Sequence, residues 1–142
     1  MTVWYSQELT GFASLPVVKP SAPQYAGGLF IYQASILLAT QLINDTIVVG
    51  YVPPGAAFAF GLLSTDTSLG AATIAIGTAA AAAKYRAAAT FTTTNVPTFV
   101  GLVANYANVS LAAPETQIIT VTTANLPAAG NLVYQQFWAA QG

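Results

Sequence analysis

Apolar residues in this chain of 142 amino acids occur in short runs, each interrupted by Gly, Pro, Thr or Asn. The longest candidate, residues 29–43, still contains four polar side chains. A membrane-spanning helix needs about 20 predominantly apolar residues, so the pattern excludes such a helix, and we expect no membrane insertion. Several runs alternate with a period of two, which is typical of β-strands.

The alternating runs predict seven or eight strands from residue 29 onward. Turn signals separate them at about 8–12 residues, the spacing of sandwiches and barrels. Alternation of strands with helices is absent from the pattern, which disfavours a parallel α/β sheet. We therefore predict an all-β fold, an antiparallel β-sandwich that is jelly-roll-like with two Greek keys. The predicted domains are an extended N-terminal arm, residues 1–27, and a β-sandwich, residues 28–142.

Three of the runs assign residues to particular faces. One face of the run "LFIYQASILLA" is predicted to carry Phe30, Tyr32, Ala34, Ile36 and Leu38. One face of "NLVYQQFWA" carries Leu132, Tyr134 and Trp138. One face of "AAFAFGLLS" carries Ala56, Phe58, Phe60 and Leu62. The last run and "ATIAIG" are expected to form a β-hairpin across the polar loop "TDTSLGA". Asp66 in that loop is interpreted as the residue of an Asx-turn rather than a metal ligand.

Charged residues are scarce. Four acids and three bases make up 5% of the chain, against about 25% in an average soluble domain. A net charge near zero promotes association, so we expect partner molecules to cover much of the surface.

The same composition removes most reaction chemistry. The chain has no Cys and no His, so it lacks a thiol nucleophile, a thiolate metal site and the usual general base. The four acids are scattered along the sequence, and three bases are too few for a phosphate-binding stripe. We predict no catalytic residue, no metal, no cofactor and no nucleic-acid partner. The protein is not expected to be an enzyme.

The N-terminal arm combines prolines with aromatic side chains. Pro16, Pro20 and Pro23 favour extended backbone. Aromatic residues bury much area at low entropic cost, so Trp4, Tyr5 and Phe12 are candidate partner-binding residues. The alternatives are that the arm covers the core of its own domain or is a frayed terminus.

Two of the three bases, Lys84 and Arg86, lie in the alanine-rich stretch 78–90. Five consecutive alanines cannot hold a helix alone, and "FTTTN" that follows favours a strand. We predict a short helix or tight loop that leads into extended chain. Lys84 and Arg86 are then candidates to face an acidic patch on a partner, or to pair with Asp66 or Glu115 within the domain.

Two stretches resemble a known group of proteins. "TDTSLGAATIAIG" followed by "KYRAAATFTTTNVPTFVG", and "ETQIITVTTANLPAAGNLVY", are similar to small virion proteins of tailed bacteriophages. Over about residues 29–139 the chain resembles capsid decoration, or cement, proteins. The resemblance implies a non-enzymatic structural protein on the outer surface of the virion, made in the host cytoplasm. It also implies a homotrimer that stabilises the capsid by bridging major capsid protein subunits.

Other functions stay open at this point. The chain is also compatible with another virion component, such as a tail, fibre or head-tail connector protein. A carbohydrate- or receptor-binding β-sandwich is a further alternative, since Trp4, Trp138 and the tyrosines offer stacking surfaces for sugars. Such sites usually add acidic hydrogen-bonding groups, which are scarce here.

Overall fold

The computed structural model describes residues 28–101 and 110–140. The predicted arm, with Trp4, Tyr5 and Phe12, lies outside these ranges. The described residues form eight β-strands: β1 Leu29–Leu37, β2 Thr46–Val52, β3 Ala56–Thr65, β4 Thr73–Gly77, β5 Arg86–Thr90, β6 Thr98–Val100, β7 Glu115–Thr122 and β8 Asn131–Ala140. In these ranges no helix is long and apolar enough to cross a membrane.

The strands form two antiparallel four-stranded sheets. The first sheet has the order β1-β8-β3-β6 and the second sheet the order β2-β7-β4-β5. This is the order of a jelly roll, in which two Greek keys interleave so that most consecutive strands lie in opposite sheets. The predicted all-β sandwich of jelly-roll type is therefore confirmed.

The core lies between the two sheets and centres on three aromatic rings. Phe58 and Trp138 contact edge to face with ring centroids 5.0 Å apart, and Tyr85 lies 4.5 Å from Phe58. Edge-to-face pairs add about 0.5–1.5 kcal/mol to the energy of burial. The faces predicted for β1 and β8 are confirmed, because Ile36, Leu38, Leu132, Tyr134 and Trp138 are all buried and Phe30, Tyr32 and Ala34 pack against the core.

A buried glutamine joins the two sheets. Gln136 on β8 is fully buried; it accepts a hydrogen bond from Trp138 Nε1 at 3.1 Å and donates one to the Val49 carbonyl of β2 at 3.2 Å. Gly50 provides the room, since a Cβ there would lie 3.0 Å from Gln136 Nε2. The fixed hydrogen bonds set the position of one sheet against the other.

The face predicted for β3 is wrong beyond Phe58. A β-bulge at Ala59 shifts the register against β8, because Phe58 pairs with Trp138 but Phe60 pairs with Phe137. One extra residue reverses the direction of every following side chain. Gly61 and Leu63 therefore point into the core, whereas Phe60 and Leu62 point outward.

The predicted hairpin between β3 and β4 is also wrong. The two strands lie in different sheets, so residues 66–72 cross from one sheet to the other. Thr65, rather than Asp66, forms the local turn, because its hydroxyl accepts from Thr67 N at 3.2 Å and donates to Thr67 O at 2.7 Å. The Asp66 carboxylate instead accepts from the main-chain and side-chain nitrogens of Asn131, at 2.7 and 2.9 Å.

Candidate docking surface

The strands of the first sheet carry no charged residue, whereas those of the second sheet carry Arg86 and Glu115. No Asp, Glu, Lys or Arg occurs in the four strands of the first sheet, β1, β3, β6 and β8. The five charged residues within the described ranges lie in the second sheet or in connecting segments, namely Asp45, Asp66, Lys84, Arg86 and Glu115. Charged residues are depleted at the cores of protein interfaces, so the first sheet is the better candidate for an extended contact.

The outer face of the first sheet carries an aromatic cluster, which we call the aromatic face: Ile31, Phe60, Phe99 and Phe137. The rings of Phe60 and Phe137 stack with centroids 4.3 Å apart at 12°, and Phe99 lies 5.9 Å from Phe60. Phe99 is 77% exposed and Ile31 is 56% exposed. Aromatic residues, Phe included, are enriched at protein interfaces, and charged residues are depleted at interface cores.

The bulge at Ala59 turns Phe60 outward and so creates the aromatic face. Because a bulge interrupts the period-two pattern, the sequence did not predict this face. Strict alternation assigns Phe60 to the core together with Phe58. The one-residue shift brings Phe60 beside Phe137, its partner across the ladder. The one sequence signal that Phe60 points outward is the neighbouring Gly61, which points inward and leaves room in the core for the ring of Tyr134.

Lys84 lies at the end of the tight loop that leads into β5. The loop is closed by hydrogen bonds between Thr78 and Ala81, and Lys84 N donates to Ala81 O at 3.1 Å. The Lys84 ammonium forms an ion pair with Glu115 Oε2, and Tyr85 OH donates to Glu115 Oε1 at 2.5 Å. Of the two arrangements proposed from the sequence, the pairing with Glu115 is thus present. Contact with a partner stays a prediction for Lys84, whose side chain is 34% exposed.

An open cleft of about 540 Å³ adjoins this ion pair, between residues 78–84 and 110–116. Its walls are mostly Ala, Pro and Thr, with Lys84 and Glu115 as its charged residues. Within the described ranges no three acidic side chains come close enough to hold a metal ion. The charged groups that line the cleft, Lys84 and Glu115, neutralise each other in an ion pair.

Arg86 is directed at the protein's own backbone. Its guanidinium donates to the carbonyls of Ile74 at 2.6 Å, Thr90 at 3.2 Å and Ala89 at 3.3 Å. These groups surround a bulge in the β4–β5 ladder, where Ile76 pairs with Arg86 but Ile74 pairs with Ala89. Burial lowers the pKa of Arg86 from its ordinary value. Arg86 thus replaces missing ladder hydrogen bonds, and its proposed contact with a partner is a prediction that this geometry leaves open.

The fold is shared with chains of known phage capsids. One chain of the cyanophage Pam1 capsid asymmetric unit superimposes with a TM-score of 0.67 at 16% identity, covering 82% of this chain and 87% of its own length. A chain of the Ralstonia phage GP4 capsid gives 0.64 at 15% identity, with coverages of 82% and 87%. A chain of the acid-stable capsid of Helicobacter pylori bacteriophage KHP30 gives 0.58 at 11% identity, with coverages of 82% and 92%. At these identities the likeness establishes a common fold. Comparison of the sequence with protein-family models and with curated proteins gives no match.

Proposed function

We propose that this chain is a non-enzymatic virion structural protein that decorates and cements the capsid of a tailed phage by bridging major capsid protein subunits. The observation that carries the proposal is the charge-free first sheet with its exposed aromatic face, on a jelly roll that phage capsid structures also contain. A protein that must contact several shell subunits gains from many weak apolar contacts made at once.

The expected assembly is a homotrimer on the outer surface of the capsid, with the major capsid protein as its principal partner. Trp4, Tyr5 and Phe12 are proposed to bind the shell as aromatic anchors. Lys84, in the loop between β4 and β5, is proposed to contribute a separate, weaker and salt-sensitive contact, in competition with its ion pair to Glu115. Arg86 is a weaker candidate because its donors already serve carbonyls of the same chain.

The first test is the number of copies bound per particle. Purified full-length protein is mixed with mature capsids that lack it, and bound copies are counted by quantitative mass spectrometry. Hundreds of copies per capsid support a decoration role. Six or twelve copies would instead indicate a connector or tail component, and absence of binding would overturn the proposal.

The second test locates the contact. Phe99→Asp places a charge on the aromatic face at a highly exposed position, so we expect it to weaken capsid binding by about 10-fold or more without loss of fold. Val48→Asp, at a residue 50% exposed on the second sheet, is the matched control and should bind normally. Trp4→Ala combined with Phe12→Ala tests the arm in the same assay, and unchanged affinity would exclude the anchor role.

A further inference from the structure

The free edge of β1 differs from the other three sheet edges. Exposed edges invite pairing with another chain, and proteins blunt them with short strands, bulges, prolines or charges. β6 has only three residues. β5 has a bulge and the Arg86 side chain, and β2 has a bulge at Val49 and is followed directly by Pro53.

β1 carries none of these protections. It pairs with β8 over nine consecutive residues without a register shift, and it contains no charged residue and no proline. Within the described ranges only β8 pairs with it. A long, regular and uncharged edge of this kind is suited to accept another strand.

The direction of the unpaired main-chain groups follows from one hydrogen bond. Leu38 N donates to Gly130 O at 2.9 Å, just beyond the β1–β8 ladder. Main-chain groups alternate in direction along a strand, so Leu29, Ile31, Gln33, Ser35 and Leu37 direct their N–H and C=O groups to the free edge. The side chains of these residues are all exposed. At the end of the strand the Leu37 carbonyl already accepts a hydrogen bond from Gln41 Nε2 at 3.0 Å.

We propose that β1 of one copy pairs antiparallel with β1 of a second copy, across a twofold axis at Gln33. This register places Gln33 opposite Gln33 of the partner subunit and Leu29 opposite Leu37 of the partner subunit. The odd-numbered positions then form pairs that exchange main-chain hydrogen bonds. At the two outer pairs the Leu37 carbonyl would have to share its acceptor with Gln41 Nε2 or release it.

The chemistry of β1 favours a copy of itself as the occupant. In a twofold contact each residue near the axis meets its own kind, so a charge there would repel its equivalent. β1 has no charge to repel. The contact also brings together Leu29 and Leu37, which are 56% and 70% exposed in the single chain.

This contact does not depend on the proposed capsid role. Two identical strands that pair antiparallel in this register are related by a twofold axis, so the pairing is distinct from a threefold contact. A trimer that uses both contacts would be joined to a second trimer. The signature in solution is therefore an even number of copies.

The first experiment removes one main-chain donor from the free edge. Gln33→Pro deletes the outward N–H while the hydrogen bonds to β8 stay in place, and Gln33→Ala removes the same side chain but keeps the N–H. We expect Gln33→Pro to weaken pairing by roughly 10- to 100-fold and to halve the mass in sedimentation equilibrium. Gln33→Ala should keep an even copy number, and circular dichroism checks that both variants fold.

The second experiment is a charge exchange at the axis, which a misfolded variant cannot imitate. Gln33→Lys and Gln33→Glu should each dissociate, because like charges meet across the axis. An equimolar mixture should recover the even mass as a mixed pair. Recovery supports pairing through β1.

Three outcomes would overturn the inference. The first is one or three copies at every concentration for the wild-type chain. The second is an even mass that Gln33→Pro does not change. The third combines two results: the wild-type chain forms no even-numbered assembly, and capsid binding is lost in Gln33→Pro but kept in Gln33→Ala. The edge of β1 would then accept a strand of the shell rather than a second copy. Failure to bind capsids would overturn the proposed function and leave the mass measurements valid.

Discussion

At the scale of single residues, Gln136 links the two sheets through hydrogen bonds in the core. Its amide serves both Trp138 and the Val49 carbonyl inside the core. Buried polar groups contribute little net energy when paired but cost about 1–3 kcal/mol when a partner is removed. The effect of Gln136 is therefore best seen by deletion.

We predict that Gln136→Ala lowers the free energy of unfolding by about 2–4 kcal/mol, because it leaves a cavity and two unpaired groups. The measurement is urea unfolding followed by fluorescence. Gln135→Ala is the matched control; Gln135 points the opposite way and bonds Gln33 at 2.9 Å. It should change stability by no more than about 0.5 kcal/mol. Equal effects of the two variants would contradict the role of Gln136.

Asp66 makes stability depend on pH in the acid range. The main-chain N–H of Asn131, then its side-chain amide and the Thr67 hydroxyl, lower the pKa of Asp66 from its ordinary value. A lowered pKa in the folded state means that the carboxylate stabilises the fold above the unfolded value of about 3.9. That contribution is lost as the pH falls through the folded pKa.

The test is a pH titration of the Asp66 carboxyl carbon and the Asn131 amide by NMR. We expect both signals to move together, with a midpoint below the ordinary range of Asp. Asp66→Asn should remove the part of the pH dependence of stability that is due to this carboxylate. An Asp66 midpoint at or above the ordinary value would show that the contacts to Asn131 do not favour the charged form of Asp66.

At the scale of elements, the loop after β4 depends on a glycine. A Cβ at Gly77 would overlap the carbonyl oxygen of Ala81 and approach the backbone of Ala82 at 2.7 Å. The loop that carries Lys84 therefore folds back onto the end of β4 only because Gly77 lacks a side chain.

We predict that Gly77→Ala destabilises the protein by about 1–3 kcal/mol and displaces the Lys84 loop, as overpacking does in cores. Loss of amide protection at Tyr85, whose N–H bonds Ile76 O at 2.9 Å, is the local measurement by hydrogen exchange. Gly28→Ala, where a Cβ meets nothing within 4 Å, is the control. Unchanged protection in Gly77→Ala would show that the loop tolerates the side chain.

The elements also show what sequence could and could not predict. The period-two pattern gave the correct buried face for β1 and β8, since neither strand contains an extra residue: the β1–β8 ladder has no shift, and the extra residue in the β3–β8 ladder lies on β3. It failed for β3 because Ala59 is an ordinary small residue that does not itself mark a bulge, and Gly61 nearby does not fix the register. It failed for the β3–β4 pairing because strand patterns encode burial and leave the partner unspecified, and jelly rolls place consecutive strands in opposite sheets.

The candidate surface was predicted only in part. The scarcity of charge pointed to a covered exterior, and this follows from composition alone. The location of the aromatic face required the register between Phe60 and Phe137, a contact between residues far apart in sequence. The pairing of Lys84 with Glu115 was one of the arrangements considered, whereas the backbone contacts of Arg86 follow from a bulge that the sequence does not reveal.

At the scale of the whole molecule, stability rests on packing and hydrogen bonds rather than on ion pairs. Within the described residues, the pair of Lys84 and Glu115 is the salt bridge present. Partly exposed pairs contribute about 0–1 kcal/mol and are screened by salt.

We therefore predict that the free energy of unfolding changes by less than about 1 kcal/mol between low salt and roughly 1 M NaCl. Denaturation with urea, which is uncharged, is the suitable measurement. Lys84→Gln should remove most of the residual salt dependence. A large salt effect that persists in Lys84→Gln would indicate charge interactions beyond this pair.

The position of β8 between β1 and β3 also governs how the chain acquires its structure. Leu29 pairs with Ala139, a partner 110 positions later, and Trp138 fills the centre of the core from the same late strand. Contacts so distant in sequence slow folding, because closing a long loop costs conformational entropy before the contact stabilises the chain. During synthesis we therefore expect β1 and β3 to lack the strand that lies between them until β8 has been made. A neighbouring copy could supply its own β8 at this position, so we expect exchange of β8 between copies to compete with folding when the chain is made at high concentration.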